Sequence, residues 1–176
     1  MRQALRQLSL TSAAFLAACV TVPTQQVDLA YSEEVFAPYK AKGSEIVSGQ
    51  AFLRQQGGGV VVCAGEPVLL LPAAGPIKEA VTLSRKGVRP LAGKKTVGQT
   101  FYSDTADPRF AEVVRRTQCD AQGNFQFAGV PAGDWYVYTR VQWIIADAPQ
   151  GGDLLADVRT TGQGEQKVLL SDSNRV

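Results

Sequence analysis

The chain has no histidine, and its 176 residues include only three cysteines, one methionine and two tryptophans. Without histidine the Ser-His-Asp and Cys-His nucleophile systems are excluded, together with the commonest zinc and haem ligands. Charge is scarce as well, at 19% of residues against 45% hydrophobic ones, which excludes a disordered polyelectrolyte. The length suffices for one domain with a real core. No phosphate loop is present: Gly57-Gly58-Gly59 is followed by neither a Lys-Ser/Thr pair nor a helix start, and reads as a flexible hairpin. Asp120-x-Gln122-x-Asn124 lacks the glycine and the terminal glutamate of a calcium loop, so it reads as a turn. No metal and no cofactor is expected.

Several features are informative. Arg2 and Arg6 precede an uncharged, apolar or small-residue run from Leu8 to Ala18, which is too short to span a bilayer as a permanent anchor. The run ends in Leu16-Ala17-Ala18-Cys19, which resembles the lipobox of bacterial lipoproteins. That resemblance implies a signal peptide over residues 1–18, a lipid on Cys19, and a lipidated N-terminus and tether over 19–43. Val20, where an aspartate would signal retention in the inner membrane, implies an outer-membrane lipoprotein facing the periplasm. A buried helix is the plainer alternative for the same run. With Arg2 and Arg6 removed, 16 basic residues face 16 acidic ones, so no global field attracts nucleic acid.

Within the tether, Ser32-Glu33-Glu34 can cap a short helix whose Val35 and Phe36 pack down before Pro38 limits it. Beyond Lys42 no long helical period is visible, and the pattern changes to short β-type runs separated by Gly, Pro and Asp. Candidate strands are 46–53, 60–63, 67–72, 124–127, 135–145, 154–161 and 166–170. About seven short strands with frequent turns predict an all-β, antiparallel sandwich over residues 44–176.

The most informative stretch is Cys119-Asp120-Ala121-Gln122-Gly123-Asn124-Phe125-Gln126-Phe127. Asp-x-x-Gly between β runs is a hairpin signal, and Phe125 and Phe127 alternate onto one face. Val130-Pro131-Ala132-Gly133 then turns the chain into Trp135-Tyr136-Val137-Tyr138-Thr139. From Asp120 to Val137 the sequence resembles the signature of carboxypeptidase-regulatory-like domains. Gly49-Gln50-Ala51-Phe52 and Glu66-Pro67-Val68-Leu69-Leu70 match the first two strands of that domain. The resemblance spans about Glu45 to Thr139 and implies a transthyretin-like (prealbumin-like) sandwich used as a scaffold in many settings. The middle segment, about 73–110, then reads as a long insertion with room for a short helix. Relatives of this fold include hydroxyisourate hydrolases, whose histidines are missing here, and pilin modules with Lys–Asn isopeptide bonds. Of the only two asparagines, Asn124 belongs to the Asp120 turn and Asn174 lies beside the C-terminus, so no such crosslink is expected.

Cys63 and Cys119 each border a candidate strand, and an exported chain meets an oxidising compartment. A disulfide between them would add about 3–4 kcal/mol in the chain-entropy model; two buried free thiols are the alternative. Two features mark candidate binding surfaces. Between Ala73 and Gln118 nine basic residues outnumber four acids, with Arg85, Lys86, Arg89, Lys94 and Lys95 clustered. The strand from Trp135 to Trp143 carries aromatics on both faces, with Tyr136, Tyr138 and Arg140 on the face opposite Trp135 and Val137. That second face either binds a sugar or peptide or packs under the middle segment. The expectation is a non-catalytic envelope binding or scaffold module, held at the membrane by Cys19 and meeting envelope proteins or cell-wall glycans. A structural subunit of a secretion or surface complex is the alternative, and a polysaccharide hydrolase a further one.

Overall fold

The computed structural model describes residues 21–176, so the expected signal peptide and Cys19 lie outside the described residues. The elements run β1 (Thr24–Gln26), α1 (Glu33–Phe36), β2 (Glu45–Arg54), β3 (Val60–Val62), β4 (Pro67–Pro72), α2 (Gly75–Arg85) and β5 (Arg89–Ala92). They continue with β6 (Lys95–Thr96), α3 (Val97–Tyr102), β7 (Arg115–Gln118), β8 (Asn124–Val130), β9 (Gly133–Ile145), β10 (Ala148–Thr160) and β11 (Glu165–Leu170).

Period-2 alternation builds two facing sheets. The first has the order β10-β9-β4-β7, antiparallel throughout. In the second, β2 lies between β11 on one edge and β8 followed by β3 on the other. The expected sandwich is present. One pairing departs from the antiparallel expectation, because β11 runs parallel to β2. Val47, Ala51, Leu53, Phe125 and Phe127 of the second sheet meet Val68, Leu70, Trp135, Val137, Val141 and Leu154 of the first. The Asp120 turn forms as expected: its Oδ1 accepts the amides of Gln122 and Asn124, and Gly123 takes φ +80°.

Cys63 and Cys119 form a disulfide with Cα atoms 5.8 Å apart, and both are buried in this core. Cys63 follows β3 of one sheet and Cys119 follows β7 of the other, so the bond staples the sheets together.

The middle segment is not a surface insertion. Its helix α2 lays Ile77, Ala80 and Val81, at helical spacing, on the outer face of the first sheet. Val97 and Phe101 of α3, with Phe110 and Val113, complete this second core around Leu69, Leu71, Tyr136, Tyr138 and Leu155. The 19–43 stretch is also a tether only in part. β1 pairs in parallel with β5, and Val27, Tyr31 and Phe36 are buried in the second core. Phe36 packs between Tyr31 and Phe110, with ring centroids 5.2 and 5.3 Å away. Val35 stays exposed, Ser32 makes no side-chain cap, and Pro38 sits inside a following 3-10 turn, Ala37–Lys40, rather than ending the ordered stretch. The first sheet is thus covered on both faces, which explains why β4 reads as an unbroken apolar run.

Candidate functional site

Polar residues at one edge of the second core line a groove. β5 turns at Gly93-Lys94 into β6, which leads directly into α3 through a capping box. Thr96 Oγ1 accepts the Gln99 amide and Gln99 Oε1 accepts the Thr96 amide, both at 3.2 Å. This box stands α3 against β9, and between the β5–β6 hairpin, α3 and the β9–β10 pair lies a groove of about 610 Å³. Val88, Pro90 and Leu91 give it apolar walls; Arg89, Lys94, Gln99, Tyr138 and Asp153 give it polar groups. That size falls within the ~300–1,000 Å³ range of small-molecule sites.

Tyr138 is the unusual member. It is 3% exposed, and its hydroxyl makes no hydrogen bond of ordinary geometry within the protein, although Asp153 and Arg140 lie close enough to act on it. A buried hydroxyl without a partner is destabilising and rare enough to need a reason. Gly98 lies against it: a Cβ there would fall 2.8 Å from the hydroxyl oxygen, so glycine lets α3 pass this close. Burial, reinforced by the neighbouring Asp153 carboxylate, pushes the Tyr138 pKa up, and the hydroxyl stays a proton donor.

Behind the groove runs a polar chain. Arg140 grips Asp153 through two bonds, Nε to Oδ1 at 2.6 Å and Nη2 to Oδ2 at 3.2 Å. Its guanidinium lies 5.1 Å over the Tyr102 ring, and the Tyr102 hydroxyl donates to Glu66. Hydrogen bonding to Asp153 raises the Arg140 pKa, and burial followed by Glu66 raises that of Tyr102. Asp153 is therefore a neutralised, held acceptor at the groove wall.

The sequence-derived candidates separate accordingly. Arg89 and Lys94 line the groove with Tyr138, and neither makes an ion pair among the described residues. Arg140 acts one layer behind, through Asp153. Arg85 is committed to Asp157 and lies 5.7 Å from the Tyr136 ring centroid. Lys95 donates to Ser103 Oγ at 3.0 Å, and Lys86 is exposed away from the groove lining. The aromatic face carrying Tyr136 and Tyr138 is not an open platform. Both rings are buried under the helical layer, so of the two uses the sequence allows, packing under the middle segment is the one found. Gln99, Asp153 and Gly98 escaped the sequence reading; Thr96-x-x-Gln99, a capping-box pattern, was the available signal for the first of them.

A second concavity, about 700 Å³ and shallower, lies on the outer face of the second sheet around Ser48, Gln50, Gln126 and Lys167. Its polar groups are partly satisfied by one another, as in Ser48 Oγ to Glu165 Oε1 at 2.7 Å and Gln50 Nε2 to the Gln122 carbonyl at 2.9 Å. Among the described residues no three of His, Cys, Asp or Glu converge to hold a metal ion.

These observations define a β-sandwich with a helical layer and a polar groove at their junction. A protein from Pseudomonas aeruginosa, described as a proposed carbohydrate binding protein, has a similar structure, with a TM-score of 0.61 at 24% identity over 80% of this chain and 97% of that one. The major pilin subunit of Bacillus cereus is a distant neighbour, with a TM-score of 0.36 at 12% identity over 73% of this chain and 30% of its own. No family model matches the chain, and no curated protein is similar to it. No comparison shows the carboxypeptidase-regulatory-like family, and the structural likeness bears on the fold alone.

Proposed function

We propose that this protein is a non-catalytic glycan-binding module of the bacterial envelope, with its ligand in the groove at Tyr138. The observation that carries this reading is a groove lined by amide, carboxylate and cationic side chains, with the buried Tyr138 hydroxyl, unpartnered in the protein, beneath its wall. Saccharides present dense hydroxyls that both donate and accept, and their C–H faces suit apolar walls such as Pro90 and Leu91. The Pseudomonas neighbour, proposed to bind carbohydrate, supports the same ligand class. Asp153 is the only side-chain carboxylate lining the groove, and Arg140 holds it. A glycosidase uses two carboxylates, which favours binding over cleavage.

The envelope setting rests on the Arg2–Cys19 segment: a lipid on Cys19 would hold the module at the outer membrane, facing the periplasm. Two measurements test the proposal. Saccharides immobilised as an array should retain the purified protein, and none doing so above background overturns the reading. Cys19→Ser should release the protein from the membrane fraction; its persistence there after a carbonate wash contradicts the lipid anchor.

A second reading draws on the β9–β10 hairpin. β4 pairs only with 135–139 of β9, so the distal half projects with Ile144 and Ile145, 74% and 56% exposed. An apolar tip of this kind suits a structural subunit docking into an envelope complex. That reading expects fixed partners to co-purify with the protein and to be lost in Ile144→Ser/Ile145→Ser.

A further inference from the structure

We infer that the groove selects an acidic saccharide, a sugar residue carrying a carboxylate, and that Arg89 and Lys94 read that charge. This inference rests on the glycan-binding reading and adds the ligand's charge to it.

The charged groups facing the groove decide the sign. Arg89 and Lys94 are both exposed at its wall, and neither has an ion-pair partner among the described residues. Asp153 contributes no free negative charge, because Arg140 answers it bidentately. Val176 lies at the rim, its amide bonded to the Asp153 carbonyl at 3.2 Å. Two unpaired cations, with Asp153 the one side-chain carboxylate among the described lining residues and already paired, leave the groove net positive. This surplus is local, since most other basic groups of the middle segment are spent on structure. Arg109 pairs with Asp107, Arg115 donates to the carbonyls of Ala128 and Gly129, and Arg116 to those of Phe101 and Tyr102. Arg89 and Lys94 are thus two cations left over for a ligand.

A guanidinium presents a planar fork that matches a carboxylate, and a lysine adds a compact second charge. A small positive surplus suits one negative group better than a polyanion. The Tyr138 hydroxyl and the Gln99 side-chain nitrogen, which makes no hydrogen bond among the described residues, then serve the sugar hydroxyls. The groove divides its work: charge is read at the β5–β6 hairpin, and the ring is read at α3 and β9.

The test titrates the full-length protein with galacturonic acid oligomers, neutral galactose oligomers of equal length and a sulfated oligosaccharide. Uronate oligomers should bind at least about tenfold more tightly than neutral ones, and Arg89→Gln or Lys94→Gln should each remove about that factor for uronates only. Lys86→Gln, a nearby cation outside the groove, should change nothing. Neutral and uronate oligomers binding equally would overturn the inference while leaving glycan binding standing. Sulfated oligomers binding best would overturn it too, as the mark of unselective charge attraction. No saccharide binding at all would remove the underlying reading itself.

Discussion

Glu45 shows how one buried residue can fix a turn that the sequence pattern does not announce. It opens β2, is fully buried, and its Oε2 accepts the amides of Thr161, Gly162 and Gln163 at 2.6, 2.7 and 3.1 Å. It thereby holds the β10–β11 connection that lets β11 return parallel to β2. Burial alone would raise its pKa, but the Gln166 amide and the donors from Thr161 and Gly162 outweigh that and hold the carboxyl below the ordinary value. A depressed carboxylate contributes stability that is present above the unfolded value, about 4.3, and lost as pH falls through the folded one. Glu45→Gln should therefore destabilise the protein by about 2–4 kcal/mol at pH 7, with the difference from wild type shrinking below pH 4. Urea unfolding at both pH values measures this, and a pH-independent difference would contradict it. In the sequence, Glu45 is an isolated acid before an apolar strand, with its partners 116 to 118 positions away. No local pattern encodes such a distant anchor.

At the scale of elements, what could be read depended on whether a strand's neighbours lie close in sequence. The seven candidate strands all form because alternation and turn residues are local signals. β7 was missed, since Arg115-Arg116-Thr117-Gln118 looks polar and becomes a strand by pairing with β4. α2 was foreseen only as room for a short helix and not placed, because Val81 and Thr82 look β-prone and Gly75, Pro76 and Gly87 look like loop. Yet proline in a first turn and glycine just past the last are also helix start and stop signals. The consequence is large, because α2 and α3 form much of the layer that buries Tyr136, Tyr138 and Leu69 on that face. Replacing residues 73–110 with a short turn should abolish cooperative thermal unfolding followed by circular dichroism, and Ile77→Ala alone should cost about 2–5 kcal/mol. A sharp transition in the trimmed protein would mean that the sandwich stands without its helical layer. The groove was illegible for the same reason: its cations were visible as a basic cluster, but α3 and β10 bring Gln99 and Asp153 to them across 54 positions of chain.

For the whole molecule, the three layers depend on few cross-links. The Cys63–Cys119 disulfide joins the two sheets across 56 residues and should contribute about 3–4 kcal/mol in the chain-entropy model. Reduction should lower the denaturation midpoint accordingly, and alkylation after non-reducing denaturation should label neither cysteine. The disulfide suits the export proposed from the Arg2–Cys19 segment, because disulfides persist in oxidising compartments.

The central claim is that the groove at Tyr138 exists to bind a ligand, and Tyr138→Phe tests it most directly. The substitution keeps the ring that fills the space between α3 and β9 and removes only the oxygen that has no partner in the protein. Thermal stability without ligand and saccharide affinity should be measured on the same two proteins. The account predicts opposite movements: stability unchanged or raised by about 1 kcal/mol, and affinity reduced about tenfold. A variant that loses stability, or that binds saccharide as tightly as the wild type, would contradict it.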